Sequence, residues 1–487
     1  MSNPPNFASR RQRFLRGALI GLTATAMAGC ATIDRNQPLE AIMIVDESTP
    51  GISEGGYRFQ TFATEYGTGN ALIALALSGG GKRSAAFSYG FLNGLRQIDT
   101  GGGRSLLDEV DVISGVSGGT FTASYYGLYR DQMFDTYVDE FLRYNLEGEI
   151  ANILLAPWNW QWAVDPFYGT NDAMAEVYDD LYLDGATYAD LQALGPPLIT
   201  INATDITRGS VFSFNQTYFD LLCSDLQSLP VSRAIAASNG FPVLFTPITL
   251  DSYSEQCDGR RPQWMTLLDN TPSPVDFGRL RALSTQFEAY LDPEQTRYVH
   301  LMDGGIADNL AMRGMLNALI AGDLDTNSVA SNEVANWLDT VNDVVLVSVD
   351  GQAALDDSWA QQPTVSGLAQ IISLVSGTQI DQYNIETLAL AEAEISTLAR
   401  ALTEVRCQRN ATPQACQPVQ GQVLHYSLQQ IPDEATRERL EQIPTGLTIP
   451  DEDVDLLVQA GTEQALNSPQ LNQLAERIRN ERIVAQR

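Results

Sequence analysis

The sequence has 487 residues, with 60 acidic residues against 29 Lys and Arg and a formal net charge of −31. Its apolar fraction of 44% is typical of a globular protein, and its length predicts one large domain or two fused domains. The acidic excess argues against a nucleic-acid partner, because binding phosphates requires clustered basic side chains. With only two histidines, a zinc site built on several imidazoles is also disfavoured.

The N-terminus has the pattern of an export signal. Residues 1–29 carry four arginines and no acidic residue, and the apolar run Gly17–Ala28 is too short for a membrane span, which needs about 20 residues. Cys30 follows small residues in a pattern that resembles a bacterial lipobox, and Ala31 behind it favours outer-membrane sorting of such lipoproteins. We therefore expect an exported outer-membrane lipoprotein, facing the periplasm or the surface, that is anchored through Cys30. An ordinary cleaved signal with an incidental cysteine is the alternative.

After a linker over residues 30–50, short apolar runs alternate with helical patterns. Strands are predicted at Ala71–Leu77, Val110–Ile113, Pro197–Asn202, Tyr298–Met302 and Val344–Val349, and helices at Ala85–Leu95 and 120–130. Continuous apolar strands separated by helices predict an α/β fold, a three-layer α/β/α core with a mainly parallel sheet. Three glycine-containing turns (79–81, 115–119 and 304–305) directly follow predicted strands, so we expect them at one sheet edge, where ligands bind in such folds.

The pattern changes beyond residue 355. Apolar residues between Leu388 and Val405 are spaced by three and four, and Ser468-Pro469 begins a further helix. A hairpin-like insert is predicted around Val423–Leu428. The expected organisation is thus an α/β domain over 51–355 and a mostly helical C-terminal extension over 356–487.

Four cysteines follow Cys30, and an even number in an exported protein suggests disulfides. Three connectivities are open. We favour the connectivity in which each cysteine pairs with the next one along the sequence, Cys223 with Cys257 and Cys407 with Cys416.

The segment Gly115-Val116-Ser117-Gly118-Gly119 fits G-x-S-x-G, the nucleophile elbow. This pattern needs a sharp turn from strand to helix that exposes the serine hydroxyl. Gly115 and Gly119 leave room for neighbouring backbone, and the helix that begins near Gly118 offers free N–H groups to developing negative charge. Ser117 is therefore the candidate nucleophile.

A second glycine-rich loop, Ser78-Gly79-Gly80-Gly81-Lys82-Arg83, also joins a strand to a helix. It is not a P-loop, because Ala76 and Arg83 stand where that motif needs Gly and Ser or Thr. Its backbone amides can point at an oxyanion, and one such donor contributes roughly 3 kcal/mol to lowering a barrier. A turn that only allows close helix–sheet packing is the alternative.

Asp303-Gly304-Gly305 ends the strand Tyr298–Met302. Together with Ser117 and the loop 79–81, it resembles the patatin family of serine lipid acyl hydrolases, which combine a D-G-G-G-x-R loop, G-x-S-x-G and a D-G-G/A aspartate in this order. The resemblance spans roughly residues 71–312. Supporting segments are Asn202–Ile206, Ala236–Pro242 and Ile306–Asn309, and departures are Ser78, where many members have Asp, and Ser84, where many have Gly.

The resemblance implies a catalytic dyad of Ser117 and Asp303 without histidine. Gly79, Gly80, Gly81 and Gly118 would hold the oxyanion, and Lys82 and Arg83 would support the loop. The order Ser117…Asp303…His425 also fits an α/β-hydrolase triad, which stays open as an alternative. His425 lies in a strand-like run without a loop signal, and this favours the dyad.

We expect a hydrolase of acyl esters, with phospholipids or related lipids as substrates and with no cofactor and no metal. A soluble-ester or thioester hydrolase is one alternative, and a catalytically inactive lipoprotein scaffold is another. The expected partners are the lipid or ester substrate and the membrane that holds the N-terminal anchor. The sequence does not indicate an oligomeric state.

Overall fold

The computed structural model describes residues 35–39, 56–67, 69–155, 168–242, 244–257, 261–270, 278–324, 340–353, 360–361, 363, 368–409 and 416–485. These residues belong to one compact unit. The predicted signal peptide 1–29 and Cys30 lie outside the described residues, as does the predicted linker apart from residues 35–39.

The strands are short and mostly apolar. In chain order they are β1 (Gln37–Pro38), β2 (Ala71–Leu77), β3 (Asp99–Gly101), β4 (Arg104–Ser105), β5 (Val112–Val116), β6 (Leu198–Asp205), β7 (Ser210–Phe214), β8 (Ser224–Asp225), β9 (Ile248–Asp251), β10 (Tyr298–Met302), β11 (Asp343–Asp350) and β12 (Gln420–Ser427).

The helices surround these strands. They are α1 (Phe59–Tyr66), α2 (Gly81–Leu95), α3 (Gly118–Tyr129), α4 (Met133–Tyr137), α5 (Leu146–Leu155), α6 (Thr170–Tyr178), α7 (Tyr188–Leu194), α8 (Gln216–Leu221), α9 (Val231–Asn239), α10 (Gln263–Asn270), α11 (Gly278–Leu291), α12 (Gly305–Asp308), α13 (Arg313–Leu324), α14 (Leu368–Arg409), α15 (Glu434–Glu441), α16 (Asp451–Leu466) and α17 (Pro469–Ala485).

An eight-stranded sheet with the order β12-β11-β2-β5-β6-β10-β9 forms the centre, and β7 pairs with β6 beside this path. The five strands from β12 to β6 run parallel, whereas β10, β9 and β7 are antiparallel to their neighbours. The predicted α/β fold with a mainly parallel sheet, flanking helices and C-terminal helices is confirmed.

Both faces of the central strands are buried, which explains their unbroken apolar sequences. On β11, Val344 and Leu346 pack in one cluster with Ile395 of α14. Val345 and Val347 point to the opposite face and are 1% exposed. Helices therefore cover the sheet on two sides.

The C-terminal third contributes a strand to the sheet. Residues Gln420–Ser427 form β12, which pairs in parallel with β11 along its whole length. The prediction of a hairpin-like insert at Val423–Leu428 is therefore wrong. The long helix α14 makes the crossover between β11 and β12 that a parallel pair requires.

β10 also differs from expectation, because it is antiparallel to β6 and pairs only with that strand's last residues, Leu301 with Asp205 and Met302 with Thr204. β6 extends beyond the end of β5, and β10 ends at Met302 opposite Thr204, two residues beyond Asn202, the partner of Val116. Asp303 therefore reaches the predicted edge, although not as the end of a parallel strand.

Two disulfides each join one cysteine to the next cysteine along the sequence. Cys223 is bonded to Cys257 and Cys407 to Cys416, the pairing that the sequence favours. Part of the predicted linker also packs on the domain, since β1 pairs with β8 and the side chain of Asn36 donates to Ser224 Oγ at 2.8 Å.

Candidate active site

Ser117 lies on a strained turn between β5 and α3. Its backbone has φ 46° and ψ −122°, a region that non-glycine residues rarely adopt, and the residue is 8% exposed. A Cβ at Gly118 would overlap with the carbonyl oxygen of Gly81, and one at Gly119 with that of Leu77. The elbow therefore needs its glycines because the strand β2 and the loop behind it pass directly against the turn.

The hydroxyl of Ser117 donates a hydrogen bond to Asp303. The distance from Ser117 Oγ to Asp303 Oδ2 is 3.0 Å. The other carboxylate oxygen, Oδ1, accepts from the N–H of Gly305 at 2.8 Å, and the Asp303 N–H donates to the carbonyl of Gly240 at 3.1 Å. The carboxylate is thus fixed in position with one oxygen turned toward the serine.

Burial raises the pKa of Asp303 from 3.8 to about 6, against the opposing effect of the hydrogen bonds from Gly305 and Ser117. Desolvation disfavours the charged form of a carboxyl group, and this makes the carboxylate a stronger base than an exposed aspartate. A base with such a pKa is still ionised at neutral pH. The pair can therefore pass the hydroxyl proton to Asp303.

Residues from the end of α9 orient the serine, a role that the sequence alone does not indicate. The N–H of Ser117 donates to Ser238 Oγ at 2.9 Å, and Asn239 Oδ1 lies 3.5 Å from Ser117 Oγ. Asn239 is itself held by a bond from its Nδ2 to Thr120 Oγ1 at 2.9 Å. The only sequence signal was the family-like segment Ala236–Pro242, which does not indicate which side chains face the serine.

The glycine-rich loop lies beside the elbow, but its amides are not equivalent. The N–H of Gly79 donates to the carbonyl of Asn309 at 2.9 Å, so Gly79 is not free to bind an oxyanion, in contrast to the expectation from sequence. The N–H groups of Gly80, Gly81 and Gly118 have no hydrogen-bond acceptor among the described residues. These three amides remain for an anion close to Ser117.

Lys82 and Arg83 are buried, and their side chains donate to backbone carbonyls of other segments rather than to Ser117 or Asp303. Lys82 Nζ donates to the carbonyl of Tyr144, and burial lowers the pKa of this lysine to about 7. Arg83 donates from Nε to the carbonyl of Gly351 at 2.8 Å and from Nη1 to that of Ile443 at 2.6 Å. Burial lowers the pKa of Arg83 to about 10, so the guanidinium stays charged at neutral pH.

The two departures from the family pattern are accommodated by hydrogen bonds. Ser78 Oγ accepts from the N–H of Gly351 at 2.9 Å, which ties the loop to the end of β11. Ser84 Oγ donates to the Ser78 carbonyl at 2.6 Å, and Ser84 does not have a positive φ. A side chain at position 84 is therefore tolerated.

The structure does not bring His425 to Ser117. His425 lies in the middle of β12, where its Nδ1 is 3.1 Å from Ser348 Oγ. Three strand spacings separate β12 from β5, a distance of about 14 Å. His300 on β10 is also occupied elsewhere, with its Nδ1 3.0 Å from Thr249 Oγ1.

The described residues contain no group of three or more His, Cys, Asp or Glu side chains that could hold a metal ion. Within the described part of the chain, no helix combines the length and apolar character needed to cross a bilayer.

Comparison with known proteins adds one family match. The model of the patatin-like phospholipase family matches residues 75–316, a range that includes the glycine-rich loop, the elbow and Asp303. No curated protein sequence matches the chain.

Among solved structures, the chain is similar to human GIVD cytosolic phospholipase A2, with 12% identity and a TM-score of 0.41 over 84% of this chain and 60% of that one. A second structure of that protein, in complex with methyl gamma-linolenyl fluorophosphonate, has 14% identity and a TM-score of 0.40 over 85% of this chain and 60% of that one. The chain thus spans less than two thirds of the length of these structures.

Proposed function

The chain belongs to the patatin-like phospholipase family, and we propose that it hydrolyses carboxylic ester bonds of phospholipids or related lipids with Ser117 and Asp303. The observation that carries the proposal is the 3.0 Å hydrogen bond from Ser117 Oγ to Asp303 Oδ2, beside three amides that have no acceptor among the described residues. A nucleophile, a base and oxyanion donors are the components that acyl transfer requires.

In the first half of the reaction, Ser117 Oγ attacks the ester carbonyl carbon while Asp303 takes the hydroxyl proton. The oxyanion of the tetrahedral intermediate accepts hydrogen bonds from the N–H groups of Gly80, Gly81 and Gly118. The intermediate collapses, the carbon–oxygen bond to the leaving alcohol breaks, and Asp303 returns the proton to that alcohol. An acyl group remains on Ser117.

In the second half, water attacks the acyl carbonyl carbon and Asp303 accepts a proton from it. The same amides stabilise the second oxyanion, and collapse releases the fatty acid while the proton returns to Ser117 Oγ. The strained elbow and the bond from Ser117 N–H to Ser238 keep the nucleophile in place through both halves.

Two exposed apolar side chains in the segment that follows α9 support a lipid rather than a soluble substrate. Phe241 is 40% exposed and Leu244 is 51% exposed. Phe241 comes two residues after Asn239, whose Oδ1 is 3.5 Å from Ser117 Oγ. Exposed apolar groups that follow the site residues so closely in the chain are suited to contact with acyl chains, whereas a small soluble ester would not need them.

The test is hydrolysis of phosphatidylcholine vesicles and of a short-chain soluble ester by four proteins: wild type, Ser117→Ala, Asp303→Asn and His425→Ala. We expect the wild type and His425→Ala to release fatty acid and the other two to be inactive. Loss of activity in a folded His425→Ala protein would show that His425 is required, and the triad would then replace the dyad as the proposal. A wild type inactive on both substrates would support the scaffold alternative, and activity on the soluble ester alone would support the esterase.

We also propose that the protein is exported and held at the outer membrane by a lipid on Cys30. The support is the lipobox-like sequence that ends at this cysteine. Metabolic labelling with a fatty-acid analogue should mark the wild type and not Cys30→Ala, and an unlabelled wild type would contradict the anchor.

A further inference from the structure

The glycine-rich loop is held from two sides by segments that are far apart in sequence. On the inner side, the N–H of Gly79 donates to the carbonyl of Asn309 at 2.9 Å. On the outer side, the N–H of Lys82 donates to the carbonyl of Gly446, also at 2.9 Å. Gly80 and Gly81, whose amides have no acceptor among the described residues, lie between these two attachments.

The outer attachment comes from residues 443–448, which connect α15 to α16 and which we name the C-terminal clamp. It lies close against the loop, since a Cβ at Gly81 would be 2.5 Å from the carbonyl oxygen of Gly446. Arg83 adds a second link, because its guanidinium bonds both to Ile443 in the clamp and to Gly351 at the end of β11. A forked guanidinium can bridge two carbonyls in this way, whereas a lysine ammonium lacks its planar geometry.

The clamp is itself fixed to the rest of the domain. Thr448 Oγ1 donates to Asn145 Oδ1 at 3.0 Å and accepts from the N–H of Glu147 at 3.3 Å. The helix that follows, α16, packs against α2 at backbone distance, because a Cβ at Gly461 would overlap with the carbonyl of Phe87. The clamp therefore has little freedom to move relative to α2, the helix that directly follows the glycine-rich loop.

From these contacts we propose that the C-terminal clamp positions the amides of Gly80 and Gly81 for the oxyanion, with Thr448 and Arg83 as positioning residues. The inference rests on the proposed function. It means that hydrolysis depends on a segment well outside the family match at 75–316. Amides that are misplaced by about 1 Å lose much of their effect on a transition state, although they need not change substrate binding.

The test is the substitution Thr448→Val, which removes the hydroxyl at nearly constant volume from a partly exposed side chain. Thr448→Ser retains the hydroxyl and is the rescue variant. The matched control is Thr403→Val on α14. It also removes two hydrogen bonds, to the Ala399 carbonyl and from the Val419 N–H, but at the end of the sheet opposite to the loop.

For a soluble ester we expect Thr448→Val to lower kcat about tenfold, with KM and the pH midpoint of kcat unchanged. Thr448→Ser and Thr403→Val should retain the wild-type kcat, even where thermal unfolding shows that Thr403→Val is less stable. Arg83→Lys loses the planar guanidinium that bridges the carbonyls of Gly351 and Ile443, so it should lower kcat in the same way. This variant replaces Thr448→Val in the test if Thr448→Val does not fold.

Wild-type kcat in folded Thr448→Val, or in folded Arg83→Lys if Thr448→Val does not fold, would overturn the clamp. An equal loss in Thr403→Val would also overturn it, because the effect would then follow general stability. A wild type without any hydrolysis would overturn the proposed function, and the inference with it. The two failures are thus distinguishable from the wild-type rate alone.

Discussion

Replacing Asp303 by asparagine is expected to change activity and stability in opposite directions. Asparagine cannot accept the proton of Ser117, so hydrolysis should fall by at least about 100-fold. Its shape is nevertheless that of aspartate: its oxygen can still accept from Gly305, and its amide group can donate to Ser117 Oγ.

The gain in stability follows from the pKa of Asp303, which burial raises from 3.8 to about 6. Because the folded state holds this proton more tightly than the unfolded state does, folding stability decreases as pH rises from about 4 to about 6. Above that range the buried carboxylate costs about 3 kcal/mol at most, at about 1.4 kcal/mol per pKa unit. Asparagine carries no such cost, and we expect it to stabilise the protein by about 1–3 kcal/mol at pH 7.5.

Urea unfolding at pH 4 and pH 7.5 measures this effect, with the m-value as a check on two-state behaviour. The stabilisation should be present at pH 7.5 and nearly absent at pH 4. Asp308→Asn is the matched control, since burial also raises the pKa of Asp308 to about 6, but its carboxylate accepts from the N–H of Arg313 and does not contact Ser117. This control should keep its activity. An Asp303→Asn protein that is less stable than wild type at pH 7.5 would refute the reasoning.

Further outcomes are expected from the same geometry. Gly118→Ala should be inactive and less stable by about 1–3 kcal/mol in thermal unfolding, because its Cβ would overlap with the neighbouring loop; normal activity would contradict this packing. Phe241→Ser with Leu244→Ser should slow vesicle hydrolysis several-fold without changing soluble-ester hydrolysis, whereas Leu194→Ser, an equally exposed leucine at the opposite sheet edge, should change neither. Addition of EDTA should leave the hydrolysis rate unchanged, and complete inhibition would show a required metal.

Strand positions could be predicted from sequence because buried strands leave a simple apolar pattern. Ala71–Leu77 and Tyr298–Met302 were predicted with the bounds that the structure has. Strand direction could not be predicted in the same way. An apolar run has the same pattern in a parallel and in an antiparallel strand. β10 is antiparallel to both β9 and β6, and the residues of β10 alone do not indicate these partners.

The candidate site shows the same division. The spacing around Ser117 indicates a strand-to-helix turn, and that turn is present. The three loop glycines, in contrast, are equivalent in sequence. Of their amides, only that of Gly79 is occupied within the described part of the chain, because it donates to the carbonyl of Asn309, a residue that only the folded chain brings to the loop.

Covalent labelling with a fluorophosphonate, followed by peptide mapping, tests the central claim most directly, because the reagent reacts with an activated serine. We predict one adduct, on Ser117, in the wild type and in His425→Ala, with a labelling rate that rises with pH around a midpoint near 6, the pKa of Asp303. Ser117→Ala should take up no label. An adduct on another serine, or no adduct on a folded wild type, would contradict the assignment of Ser117 and Asp303 as the reacting pair.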